Sequence, residues 1–364
     1  MTKVLHVPFS TFKRRRPSDL LTPGSQKWVD RAAPLKVSKW KSKEEFATAA
    51  GRPDLLDKLA QLSQAATSKD LQAREMLKKR AKAKYFTNAF LRQLISLDSP
   101  LQKAYINSLY CSTELKQDGD KITTQYCKNR WCQVCNRIRI AKCINGYMPG
   151  LQQLTDPQFV TLTIPNMKRH ELRPAIRGMI QCWQAIYKKL HRQCKAAGTK
   201  ELPVKLIGIR KMECTYNAEM DTYHPHFHFI VEHEAVANTI VSEWLQRNPT
   251  ATPEAQKVSK ADAGTMIELF KYFTKVITKG SVYISAADVI FQSMQGYRVY
   301  QPFGIQAVNE EPDDLDAITL EENFEGMAFW KWNGRDWINN ATGEALTNFN
   351  DTVFIDKLFE NVVL

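Results

Sequence analysis

His224-Pro225-His226-Phe227-His228, followed by Phe229, Ile230 and Val231, is the stretch from which the fold of this chain can be read. Residues two apart in a β-strand point to the same face. A strand here projects His226 and His228 side by side and sends Phe227 and Phe229 to the other face, against a core. Two imidazoles on one rigid strand face make half of a divalent-metal site. The competing reading is a polar strand face that happens to hold histidines. Against it, the 364 residues contain only seven histidines, and three of them fall within these five positions.

Outward from this strand, Asn217-Ala218-Glu219-Met220-Asp221 has turn chemistry, and Val204 to Tyr216 reads as a partner strand. Further upstream, Phe159-Val160-Thr161-Leu162-Thr163-Ile164 reads as a strand stopped by Pro165-Asn166. Residues 170–196 read as an amphipathic helix, 235–246 as a short helix followed by a polar loop, and Ala261 to Lys279 as a helix stopped by Gly280. The order strand, helix, strand, strand, helix, helix predicts an α+β protein, an antiparallel sheet with helices on one face. From Ser68 to Leu97 the chain is free of Pro and Gly and rich in helix formers, with a basic face from Lys78 to Lys84. Pro100 opens a further short helix toward Tyr110. Residues 1–60 mix Lys13-Arg14-Arg15-Arg16 with Pro17, Pro23 and Pro34, as an extended arm does.

Composition narrows the function. Residues 1–300 carry 48 basic and 25 acidic side chains, a net +23, whereas residues 301–364 carry 3 and 13, a net −10. A body this basic suggests a polyanionic partner, most often nucleic acid. The acidic stretch from Glu310 to Glu325 reads as a solvated linker or as a competitor of DNA for the basic surface. No run of about 18 apolar residues is present, and the first residues lack the apolar stretch of a secretory signal. A soluble, cytoplasmic protein with no membrane partner is the expectation.

Two further clusters carry chemistry. Cys111, Cys127, Cys132 and Cys135 have the spacing C-x15-C-x4-C-x2-C, which suits tetrahedral Zn²⁺. Lys128, Arg130, Arg137, Arg139 and Lys142 surround them, and Trp131 lies inside the knuckle. The functional reading is a structural zinc that presents Arg130, Arg137 and Arg139 to DNA. Free buried cysteines or disulfides are the alternatives, and an intracellular chain disfavours disulfides. Cys143, Cys182, Cys194 and Cys214 read as packed apolar positions. On the expected 261–279 helix, Glu268, Tyr272 and Lys275 fall at neighbouring positions. A tyrosine oxygen can attack a phosphodiester when a metal polarises the phosphate. On its own this trio reads more readily as a solvated helix face, where such Glu, Lys and Tyr groupings are common.

Taken in order, these segments resemble rolling-circle plasmid replication initiators, the HUH endonucleases, in the single-tyrosine branch with an upstream cysteine module. Phe159 to Asn166 resembles the family's first motif, His224 to His228 its metal motif, and Tyr272-Phe-Thr-Lys275 its Y-x-x-K motif. Cys127 to Cys135 resembles the cysteine segment of one branch, with Gln133 where that branch usually has proline. Ala286-Ala287-Asp288 and Gly296-Tyr297-Arg298 are weaker matches.

The resemblance implies an antiparallel sheet of about five strands flanked by helices, after a helical and zinc-binding N-terminal region. It covers roughly residues 105–305, as a cysteine-rich module over 105–150 and an endonuclease domain over 151–305; charge and helix propensity alone mark a basic helical region over 1–104 and an acidic region over 306–364. It also implies a site- and strand-specific nickase for single-stranded origin DNA, working with a host helicase and polymerase. In that picture His226 and His228 hold Mg²⁺ or Mn²⁺, Tyr272 forms a 5′-phosphotyrosine, Lys275 assists, and Glu268 serves termination. For the third ligand, a turn centred near Glu219 places Glu213 opposite Pro225–His226. Glu213 is the choice, since the family often takes a carboxylate from the adjacent strand; His224 and Glu232, on the same face, remain alternatives. A transposase of the same chemistry, which mostly uses two tyrosines, and a non-catalytic zinc-containing DNA-binding regulator are the other readings.

Overall fold

The computed structural model describes residues 54–118, 121–196, 205–270, 277–278, 281–308, 318–319, 327–360 and 362–363. The chain divides into two compact units, Met1–Ala65 and Ala66–Leu364. In the first, the described residues begin at Asp54 and are helical.

The Pro- and Gly-free run after Pro53 forms one helix, α1 (Asp54–Ile95), and α2 (Gln102–Leu109) follows Pro100. A hairpin, β1 (Glu114–Asp118) and β2 (Lys121–Thr124), leads into α3 (Gln133–Leu151). Then come β3 (Pro157–Thr163), α4 (Arg169–Ala196), β4 (Gly208–Asn217), β5 (Thr222–Glu232) and α5 (Glu234–Arg247). The polar loop expected after α5 contains a short edge strand, β6 (Lys257–Lys260), and α6 (Ala263–Leu269) follows. Two short strands, β7 (Ile277–Thr278) and β8 (Ser281–Tyr283), precede α7 (Ile284–Ser293) and β9 (Tyr300–Phe303). The C-terminal part adds β10 (Ile318–Thr319), β11 (Met327–Trp332), β12 (Trp337–Asn339), α8 (Thr352–Glu360) and β13 (Val362–Val363).

The protein is α+β, and its central sheet has five strands in the order β6-β3-β5-β4-β9, all antiparallel. The β4–β5 turn is built as its sequence predicts: the side chain of Asn217 accepts from the amides of Glu219 and Met220, and Asp221 takes φ +48. That turn sets the register, with Glu213 directly opposite His226 and Lys211 opposite His228. Gly208 starts β4 where a Cβ would lie 2.4 Å from the carbonyl of Ile230, so only glycine fits.

Period-two alternation decides the two faces. Val160, Leu162, Met212, Phe227, Phe229 and Val231 face the apolar side of α4 and α5, in one core with Trp183, Ile186, Ile240 and Trp244. Each such fully buried side chain contributes roughly 1.5–3 kcal/mol. The opposite face is half apolar: Phe159, Ile209 and Ile230 pack with Met148 and Leu151 of α3 and with Met266 and Leu269 of α6. Helices therefore cover both faces, not one as the element order alone suggested. The reason is the apolar half of the histidine-bearing face, which has to be covered.

The helix expected over Ala261–Lys279 is shorter. Asp262 caps it, accepting from the amide and hydroxyl of Thr265, and it ends at Leu269 with Phe270 as its C-cap. Phe270 is fully buried, and its carbonyl accepts from the Tyr300 hydroxyl at 3.1 Å. Ile277–Thr278 is strand, paired with Ser281–Val282, as a β-branched pair favours.

A second five-stranded sheet, β10-β2-β1-β11-β12, joins the hairpin before the cysteine knuckle to strands more than 200 residues later. Its core, Leu115, Ile122, Trp330, Trp332 and Trp337 with Ala73, Leu77 and Ala81 of α1, buries the three tryptophans. A third sheet, β13-β8-β7, ties the last described strand back to β8. Among the described residues, no helix is long and apolar enough to cross a membrane. The acidic stretch from Glu310 to Glu325 and the basic run Lys13–Arg16 lie outside the described residues, apart from β10.

Candidate functional site

Two neighbouring strands supply the histidine site. His226 and His228 come from the middle of β5 and Glu213 from β4 beside them, and their ligand atoms lie within 4.8 Å of one another. His226 and Glu213 are buried and His228 half-buried. The Nδ1 of His226 lies 3.0 Å from the carbonyl oxygen of His224. A carbonyl only accepts, so Nδ1 carries the proton and Nε2 keeps its lone pair. His228 Nδ1 meets Thr161 Oγ1 at 3.0 Å, while its Nε2 faces Glu213 Oε2 at 3.7 Å. The Phe159 ring stacks on His228, with centroids 5.2 Å apart. Both imidazoles thus present a ring nitrogen beside a carboxylate, oriented by a second layer of partners, as metal-ligating histidines are.

Electrostatics favour the ligating protonation states. Burial, then the neighbouring His226, depresses the pKa of His228 to about 4, so the ring is neutral at physiological pH. Burial alone opposes ionisation of Glu213, but Lys211 and the two histidines outweigh it and hold the carboxyl below its usual value. Lys211 is the residue that sequence reasoning missed: its buried ammonium lies 2.9 Å from Glu213. Its position two residues before Glu213 on the same strand face was the available signal.

The alternatives to Glu213 are placed elsewhere. His224 is not within that set; its Nδ1 meets the side chain of Asn166 at 2.7 Å. Glu232, at the far end of β5, accepts from the amides of Thr155 and Asp156 and the hydroxyl of Thr155. Glu268 lies exposed on α6, a helix whose buried side packs on the histidine-bearing face. Tyr272 and Lys275 lie outside the described residues.

The four cysteines also converge. Cys111 follows α2, Cys127 follows β2, and Cys132 and Cys135 sit at the start of α3. The Sγ–Sγ separations of Cys111 from Cys135 and Cys132, and of Cys127 from Cys135, are 3.5, 3.6 and 3.7 Å. Tetrahedral zinc with Zn–S bonds of about 2.3 Å needs edges of about 3.8 Å, so the donor set fits that ion. Backbone amides of Cys127 and Lys128 point at the sulfurs of Cys111 and Cys135. Buried Lys84 braces the knuckle by donating to the carbonyl of Leu109 and the hydroxyl of Thr113. Cys143, Cys194 and Cys214 pack among apolar side chains, as expected, and Cys182 packs against the main core.

The three arginines assigned to DNA have different surroundings. Arg130 is turned inward and donates to the carbonyls of Met294 and Tyr297, fastening the knuckle to the end of α7. Arg139 donates to Asn136 and to the carbonyl of Lys128. Arg137 is exposed. The weaker sequence matches have structural work: Asp288 accepts from Ser99, Tyr105 and Gln292, and Gly296 supplies a φ of +84 after α7.

Residues 120–236 match a family model described as replication protein. The match takes in three of the four cysteines and the whole histidine strand, and ends before Tyr272. A protein rep of Staphylococcus aureus is 28% identical over 194 residues, 45% of this chain and 79% of that protein. A protein rep of Streptococcus pneumoniae serotype 2 is 29% identical over 129 residues, 32% of this chain and 36% of that protein. One from Bacillus sp is 28% identical over 118 residues, 29% of this chain and 33% of that protein. The chain thus spans only about a third of the length of these last two relatives. No solved structure matches it.

Proposed function

We propose, from the match of residues 120–236 to a replication-protein family model, that this chain initiates plasmid rolling-circle replication by nicking and rejoining one DNA strand at the origin. The observation that carries this reading is the convergence of His226, His228 and Glu213 on a strand face covered by the helix that precedes Tyr272. Two imidazoles and a carboxylate accommodate Mg²⁺ or Mn²⁺, with waters completing the shell. When bound, such an ion polarises the scissile phosphate and steadies the charge that develops on it. His226, His228 and Glu213 hold it, while Thr161 and the His224 carbonyl aim the rings. Lys211 keeps Glu213 ionised.

The phenol oxygen of Tyr272 forms a bond to phosphorus as the bond from phosphorus to the 3′ oxygen breaks. The departing oxygen takes a proton, leaving a 5′-phosphotyrosine and a 3′-hydroxyl that a host polymerase extends, with a host helicase opening the duplex. Lys275 assists at the phosphate. Glu268 accepts the proton from the water or 3′-hydroxyl that resolves the adduct at termination. Cys111, Cys127, Cys132 and Cys135 hold Zn²⁺ as a structural ion, and Arg137 and Arg139 face the DNA backbone, with Arg130 positioning the knuckle. The division 1–104, 105–150, 151–305 and 306–364 assigns these tasks to regions, in a protein of the cytoplasm. A DNA-binding regulator without catalysis leaves the histidine site without a purpose.

The test is direct. With Mn²⁺ and single-stranded origin DNA, mass spectrometry should find the DNA fragment attached to Tyr272, and Tyr272→Phe should yield no adduct. A phosphotyrosyl product from that variant makes Tyr272 the wrong nucleophile. Glu268→Ala should nick normally and fail at termination; equal loss of both steps contradicts its role.

A further inference from the structure

Beside the second sheet lies an open cleft of about 350 Å³. Tyr85, Asn88 and Arg92 line it from one face of α1, Asn333 and Arg335 from the β11–β12 turn, and Asp356 from α8. Two observations mark it as a binding site. First, Arg92 and Arg335 are both exposed, and among the described residues neither guanidinium has an ion-pair or hydrogen-bond partner. Both lie close enough to act electrostatically on the Tyr85 phenol. Two guanidiniums against the one carboxylate of Asp356 leave the cleft with an excess of positive charge, which an anion would offset. Second, the side-chain oxygen of Asn88 is buried and has no hydrogen-bond partner. A buried acceptor left alone is unfavourable, so the occupant also has to bring an N–H or O–H. Beside it, Asp356 already takes the Tyr85 hydroxyl at 2.6 Å on one oxygen.

We propose that this cleft holds one nucleotide of a DNA strand, with its phosphate between Arg92 and Arg335 and its base N–H groups toward Asn88 and Asp356. A nucleotide joins the two chemistries the cleft asks for, an anion and a hydrogen-bond donor a few ångströms apart. The cleft is open, so a strand can pass through it, and the net charge of +13 on the whole chain draws in polyanions. This anchor shares the DNA substrate of the proposed initiator and does not depend on its tyrosine chemistry.

The experiment uses the full chain with a chelator present, to suppress cleavage, and a labelled mixed-sequence single-stranded oligonucleotide read by fluorescence anisotropy across a salt series. Arg92→Gln/Arg335→Gln should weaken binding at least fivefold. It should also make the slope of log K against log salt shallower by about 0.7 for each phosphate no longer neutralised. Asn88→Ala should weaken binding without changing the slope, and the double lysine variant should restore most of the affinity. Unchanged affinity and slope in the double glutamine variant, with its melting curve intact, overturns the proposal. A variant that loses binding of a deoxynucleoside 5′-monophosphate but holds the oligonucleotide normally overturns the assignment to a strand. The same variants should still form the Tyr272 adduct at saturating DNA, so each reading can fail without the other.

Discussion

The carbonyl of His224 does for His226 what the ring cannot do for itself: it decides which ring nitrogen carries the proton, while the Thr161 hydroxyl holds the His228 ring in place. Removing such partners from metal-ligating histidines typically costs about 10–100-fold in affinity. Thr161→Val is therefore expected to weaken Mn²⁺ binding by roughly that factor with little change in melting temperature, measured by calorimetric titration. The same residues predict a pH dependence. Burial, then His226, lowers His228 from 6.5 to about 4, so the folded state binds fewer protons than the unfolded one between these values. Its contribution to stability is full above pH 6.5 and is lost as pH falls toward 4. Urea midpoints of the metal-free protein should decline across that window, and His228→Gln should flatten the decline. Glu213 is depressed from 4.5 and acts in a lower window, below its unfolded value.

At the scale of the element, β5 separates two carboxylates that the sequence placed on one face. Glu213 sits across from His226, whereas Glu232 ends the strand and ties down the Thr155–Asp156 backbone. Glu232→Ala leaves those amides without their acceptor and is expected to destabilise the fold by about 1–3 kcal/mol. Metal affinity should stay unchanged; a loss of Mn²⁺ binding at normal stability would return Glu232 to the ligand set. The helix α6 teaches the opposite lesson. Helical spacing alone extended it through Lys279, but the burial of Phe270 and the hydrogen bond from Tyr300 belong to its surroundings and close it at Leu269. Local spacing does not encode a hydrogen bond made thirty residues away.

In the molecule as a whole, the cysteine knuckle depends on the C-terminal strands. β1 pairs with β11, the Trp332 amide donates to the carbonyl of Thr113, and the fully buried Trp337 donates its indole N–H to the carbonyl of Ser112, next to Cys111. Trp337→Ala is expected to cost about 3–5 kcal/mol and to loosen Cys111. Zinc released to a chromophoric chelator should then appear faster than from the unaltered protein, while Mn²⁺ binding at the histidines holds. Equal zinc retention would show that the knuckle stands without its C-terminal support.

Much of the site was legible because it is local. The alternation of His226 and His228 with Phe227 and Phe229, the short turn that sets Glu213 opposite them, and the cysteine spacing each follow from a few neighbouring residues and one backbone period. Tertiary structure alone decided the rest. It set Glu213 beside His226 and His228 and Glu232 at the far end of β5, put Lys211 against Glu213, turned Arg130 inward, laid α6 on the histidine face and brought Trp330 to Trp337 back to the knuckle. Each of those outcomes depends on which apolar surfaces found one another across long separations in the chain, and burial of that kind leaves no fixed spacing in the sequence.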